Sequence, residues 1–126
     1  MGSRHRILIA EDNEHLQRVV RRAAEQNDCE VIQATKGAEV VALAIEKNPD
    51  MIVLDVAFPD ADGRDILAQL KAEDRTAAIP VIIWSGRKEG NSDRRIALDL
   101  GAEDYVEKID ADALIRKIER VLLRFK

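Results

Sequence analysis

The sequence predicts an α/β domain built on a doubly wound, five-stranded parallel sheet with helices on both faces. Two observations carry that prediction. Five short runs are apolar throughout instead of alternating, the pattern of strands buried on both faces. Between successive runs, apolar residues recur at helical spacing, so amphipathic helices are available to cover each face. At 126 residues and nearly half apolar, the chain is one domain's worth with a substantial core, and residues 1–126 are taken as one unit.

The elements follow in order. Residues 1–5 are expected to be a disordered or appended tail, and "RILIA" (6–10) is the first strand. Leu16, Val19, Val20, Ala23 and Ala24 mark the first helix; "EVIQA" (30–34) is the second strand, and Ala38, Val41 and Ile45 mark the second helix. "MIVL" (51–54) is the third strand. The turn "PDADG" leads from it to a helix carrying Ile66, Leu67 and Leu70. Asp60 and Asp62 read as turn residues there, Asp62 as the cap of a helix starting near Arg64. "PVIIW" (80–84) is the fourth strand. The fourth helix, over 91–100, has a less regular stripe of Ile96, Leu98 and Leu100. "DYVE" (104–107) is the fifth strand, and Leu114, Ile115, Ile118, Val121, Leu122 and Phe125 form one face of the last helix. Right-handed crossovers leave few topologies for five strands, of which the flavodoxin-like order 2-1-3-4-5 is the common one.

Composition narrows the function. The net charge is −4 with both signs spread along the chain, which argues against nucleic acid as a direct partner. The longest apolar runs are only of strand length, so neither a membrane span nor a signal-peptide core is present in the sequence. The single Cys29 excludes an intramolecular disulfide and fits a cytoplasmic setting, where it packs as a small hydrophobe. His5 and His15 have no partners at zinc-site spacing.

In an open sheet of this order, ligands bind beyond the carboxyl ends of strands 1 and 3. Strand 1 runs into "EDNE" and delivers Glu11 and Asp12; strand 3 delivers Asp55 at its end. Like charges meeting there repel by about 4 kcal/mol per pair at 4 Å in partly buried surroundings. A hard divalent cation that keeps some water, Mg²⁺ or Mn²⁺, relieves that repulsion. "EDNE" has a competing reading as a helix cap: Asp12 or Asn13 can satisfy free amides, and Glu14 suits the helix dipole. Strand 4 leads to Ser85, a hydroxyl, and Gly86, where backbone can approach closely. Strand 5 leads to Lys108, a mobile cation suited to phosphate. The ordered set is far more specific than any member.

That set resembles the receiver domain of two-component response regulators over nearly the whole chain. The family's acidic pair is similar to Glu11 and Asp12, and its phosphoacceptor to Asp55. Its Pro-x-x-Asp-Gly is similar to Pro59, Asp62 and Gly63. Its hydroxyl residue falls on Ser85, its lysine on Lys108 and its switch aromatic on Tyr105. The strand order above is also the family's, so topology and resemblance are one expectation, not two. The resemblance implies that Asp55 takes a phosphoryl group from a histidine kinase or phosphotransfer protein and that water later hydrolyses the product. The protein would thus catalyse its own phosphorylation and dephosphorylation instead of turning over a substrate. It implies Mg²⁺ or Mn²⁺ held by Glu11, Asp12, Asp55 and the backbone carbonyl near Ala57, with Lys108 stabilising the remaining charge. Ser85 and Tyr105 would then switch the face of helix 4, strand 5 and helix 5 toward a downstream effector, and a phosphorylation-linked homodimer is compatible with that face.

The sequence departs from the family at Ile109, where proline with a cis peptide is usual. A cis bond to isoleucine costs about 2.5–4 kcal/mol, so a trans bond and a shifted loop are expected. Ala57 and Arg87 occupy positions that tune phosphate lifetime in the family, and Phe58 replaces a common methionine. Ile109 motivates the alternative of a pseudo-receiver, an interaction module acting without phosphate. A flavin binder is disfavoured by the acidic first loop, and a phosphatase by Glu11-Asp12-Asn13 in place of Asp-x-Asp. With no effector domain after Lys126, the chain is either a single-domain regulator or one domain of a larger protein.

Overall fold

The computed structural model describes residues 5–55, 58, 60–85, 90–107 and 111–123. Strands β1 (His5–Ala10), β2 (Cys29–Ala34), β3 (Met51–Asp55), β4 (Val81–Ser85) and β5 (Asp104–Glu107) alternate with helices. These are α1 (Glu14–Gln26), α2 (Val40–Lys47), α3 (Gly63–Ala72), α4 (Gly90–Asp99) and α5 (Ala111–Leu122). The strands pair in parallel in the order β2-β1-β3-β4-β5, the predicted arrangement.

The uniformly apolar strands are explained by two cores, one on each face. Leu8, Ala10, Ile52, Leu54, Val81 and Ile83 point to the side covered by α2, α3 and α4. Their neighbours Ile7, Ile9, Val53, Ile82 and Trp84 point to the side covered by α1 and α5. Each strand therefore contributes to both layers through its two-residue period, and alternation is erased. Cys29 is buried in the second layer, as a small hydrophobe should be. No helix among the described residues is long and apolar enough to cross a membrane.

Three expectations are corrected. His5, assigned to the tail, opens β1 opposite Cys29, with its ring nitrogen 3.5 Å from Asp50. In the second helical segment Ala38 is exposed, while Val40 and Ala44 are fully buried. The cause is a 3-10 turn over Gly37–Glu39, which winds three residues per turn and rotates the phase of the helix that follows. In α4, Ile96 and Leu98 are 41% and 40% exposed, and the small Ala97 is the buried residue. Ala97 packs in the same core as Tyr105, so α4 lies close to the sheet through a methyl group. Phe125, placed on the apolar face of the last helix, lies outside the described residues.

Candidate functional site

Strand register builds the crevice. Ala10 pairs with Leu54, so the next residues, Glu11 just past β1 and Asp55 at the end of β3, lie side by side at the carboxyl edge of the sheet. Asp55 itself pairs with Trp84, which places Ser85 one step further along β4. Carboxylate oxygens of Glu11, Asp12 and Asp55 all lie within 4.8 Å of one another. Glu11 is 1% and Asp55 2% exposed, whereas Asp12 faces solvent.

The two readings of "EDNE" turn out to be divided among its residues. Asn13 is the N-cap of α1, its side-chain oxygen accepting from the Leu16 N–H at 3.1 Å, and Glu14 lies in the first turn. Glu11 and Asp12 instead line the crevice with Asp55. Glu11 is held from several sides: its carboxylate accepts from the Asn13 N–H at 3.0 Å, and its own N–H donates to Ala34 at 3.2 Å. Its carbonyl accepts from the side-chain amide of Gln17, a buried residue. Gln17 was missed in the sequence. The signal was available in its phase, three and seven residues before the buried Val20 and Ala24, which turns it inward.

These acids fit a hard divalent cation. Two carboxylates nearly removed from water and this close repel strongly, and the donor set is oxygen alone, as Mg²⁺ or Mn²⁺ prefers. The exposure of Asp12 leaves a wet side on which such an ion retains part of its hydration.

The other predicted residues fall as follows. Ser85 is the last residue of β4 and fully buried, not one residue beyond the strand. Tyr105 is 8% exposed and packed in the core under α4. Asp62 caps α3, accepting from the Arg64 N–H at 2.9 Å. Asp60 is more than a turn residue: its two oxygens accept from the N–H groups of Gly37 (2.9 Å) and Ala38 (3.1 Å). Those N–H groups pull its pKa below the usual carboxylate range. Pro59, Ala57, Gly86, Arg87, Lys108 and Ile109 lie outside the described residues, and with them the predicted trans bond.

Asp104 was not singled out in the sequence, yet three elements meet on it. Arg94 of α4 donates to its Oδ1 at 3.0 Å and Lys117 of α5 lies 2.7 Å from its Oδ2. Arg94 also donates to the Tyr105 carbonyl at 3.1 Å. Burial works to raise the Asp104 pKa, but Lys117, the Tyr105 N–H and Arg94 together hold it below the ordinary value. A groove of about 390 Å³ between α1 and α5, lined by Arg18, Val19, Arg22 and Ile115 among others, is basic and shares no residue with the acidic crevice.

Acids from two strand ends thus meet at the switch point of a parallel sheet of this order, an arrangement suited to holding a divalent cation. The family model of the response regulator receiver domain matches residues 7–119, and the chain belongs to that family. It is similar to the KDP operon transcriptional regulatory protein KdpE of Escherichia coli, with 36% identity over 94% of this chain and 51% of that protein. It is also similar to Protein PilH of Pseudomonas aeruginosa, with 33% identity over 93% of this chain and 97% of that protein. The chain therefore spans about half the length of KdpE but nearly all of PilH. Among solved structures, the receiver domain of the Francisella response regulator 1452 matches with a TM-score of 0.86 and 28% identity, covering 97% of this chain and 99% of that one.

Proposed function

We propose that this receiver domain accepts a phosphoryl group on Asp55 from a histidine kinase or phosphotransfer protein and signals through α4, β5 and α5. The observation that carries the reading is the convergence of Glu11, Asp12 and Asp55 within 4.8 Å at the switch point of the sheet. An Asp55 carboxylate oxygen attacks phosphorus as the bond to the donor's imidazole nitrogen breaks, giving an acyl phosphate and a neutral imidazole once a proton is taken up. Glu11, Asp12, Asp55 and the carbonyl of Ala57 are the residues to hold Mg²⁺ or Mn²⁺, which when bound neutralises phosphoryl charge. Lys108 stabilises the charge that remains, and the chemistry otherwise needs positioning. The Ser85 hydroxyl donates to a phosphoryl oxygen, and Tyr105 follows that movement. Ala57 and Arg87 set the lifetime of the product by what they present to attacking water.

The output face is supported by how its elements are tied. Arg94 joins α4 to the backbone of Tyr105, and Asp104 joins Arg94 to Lys117, so a shift at Tyr105 is felt by both helices. A downstream effector, or a second copy of the chain, reads that face; the exposed Ile96 and Leu98 lie on α4. The test uses Trp84, which is fully buried and paired with Asp55. Mg²⁺ should change its fluorescence saturably, and the change should vanish in Asp55→Asn. A flat titration of the wild type counts against the site.

A further inference from the structure

The connection from β3 to α3 is fastened at an unexpected place. Asp60, five residues beyond Asp55, is exposed, yet both of its oxygens are engaged by amides more than twenty residues earlier in the chain. Gly37 and Ala38 open the 3-10 turn that runs into α2, where N–H groups lack partners within the helix. A carboxylate arriving from another loop supplies them with charge-assisted bonds.

Packing independently shows how close the two connections are. A Cβ on Gly37 would lie 2.7 Å from the Cβ of Ala61 and 3.1 Å from Cδ1 of Ile66, so only glycine fits. Behind it the β2–α2 connection is folded on itself: the Glu39 carboxylate accepts from the N–H groups of Thr35 (2.8 Å) and Lys36 (3.2 Å). Asp60 is thus held against a braced block. The same connection is anchored at Asp55 in the sheet, at Phe58 in the core and at Asp62 on α3.

We propose that Asp60 is a positioning residue that couples the first turn of α2 to the acidic crevice. The proposal rests on the reading of Asp55 as phosphoacceptor and Mg²⁺ ligand. With the tie closed, Asp60 is already held against the start of α2 before the ion arrives, and less ordering remains to be done on binding. With the tie open, that ordering is charged against Mg²⁺ affinity. Coupling of this kind is reciprocal, so Mg²⁺ in the crevice must also tighten the tie at α2 by the same factor.

Two measurements test this on the whole chain. In Asp60→Asn, one oxygen acceptor is replaced by an amide that cannot accept from Ala38. The Mg²⁺ concentration for half-maximal Trp84 response and for half-maximal phosphorylation by a small phosphodonor should rise roughly three- to tenfold, with a smaller change in the rate at saturating Mg²⁺. In the wild type, Mg²⁺ should slow hydrogen exchange at the Gly37 and Ala38 amides by a comparable factor, and should leave them unchanged in Asp55→Asn. A structural cap alone predicts neither the split nor the Mg²⁺-dependent protection. The proposal is overturned if Asp60→Asn keeps the wild-type Mg²⁺ dependence, or if the two amides of the wild type ignore Mg²⁺. If the wild type takes no phosphoryl group yet the amides respond to Mg²⁺, the functional reading fails and the coupling stands.

Discussion

Replacing Asp55 with asparagine should stabilise the metal-free protein, although most substitutions of buried residues destabilise. Glu11 and Asp55 are 1% and 2% exposed, and their ligand oxygens lie no more than 4.8 Å apart. At an effective dielectric constant of about 20, two unit charges at that distance repel by about 3.5 kcal/mol. The favourable interactions both acids make elsewhere offset part of this, leaving a net gain of about 1–2 kcal/mol for the neutral isostere. Mg²⁺ offsets this gain: at ten times its Kd it adds about 1.4 kcal/mol to whichever protein binds it. Urea unfolding with EDTA, then with Mg²⁺, reads both effects. Asp55→Asn should have the higher midpoint in EDTA and gain little from Mg²⁺, while the wild type gains and closes the gap. If Asp55→Asn is less stable in EDTA, or both proteins gain equally from Mg²⁺, the picture of clustered carboxylates awaiting a cation is wrong.

Three further outcomes follow from the same geometry. Gln17→Ala removes the side-chain donor to the buried Glu11 carbonyl; it should cost about 1–3 kcal/mol in urea unfolding and weaken the Trp84 response to Mg²⁺. Asp104→Asn should cost about 1 kcal/mol at neutral pH, since the side chains of Arg94 and Lys117 are 50% and 33% exposed and solvent screens them. Because the folded-state pKa of Asp104 is depressed, that contribution is fully present above the unfolded value of about 3.9 and is lost as pH falls through the folded value. The cost of the substitution should therefore shrink below about pH 4 in midpoints measured against pH. Gly101→Ala places a side chain at φ +106°, with its Cβ 3.1 Å from Cγ of Lys71. It should lower stability by about 1–2 kcal/mol, read by thermal unfolding.

The sheet was legible because burial on both faces leaves a mark within each strand: Ile7 to Ala10 and Met51 to Leu54 are apolar without a break. Asp55 was legible for the same reason, as an acid that ends such a run. The failures come where a distant contact sets the local geometry. Ala38 has the spacing of a core residue, but a 3-10 turn capped from Asp60 rotates it outward. Asp60 sits in a stretch that reads as a self-contained turn, and its partners are 22 and 23 residues away. In α4 the apolar scale favours Ile96 and Leu98 over Ala97, yet the close approach of helix to sheet selects the smallest side chain. Gln17 was passed over because a buried amide adds nothing to an apolar stripe, although its phase marks it as inward. Asp104 shows the same limit, since nothing local foretells that cations from two helices converge on it.

The most direct test of Asp55 as phosphoacceptor is covalent. The protein, a small acyl phosphate or phosphoramidate donor and Mg²⁺ are combined and the intact mass is read. One phosphoryl group should be added per chain, labile to hydroxylamine, absent without Mg²⁺ and absent in Asp55→Asn. A wild type that takes up no phosphoryl group, or an Asp55→Asn variant that still does, would contradict it.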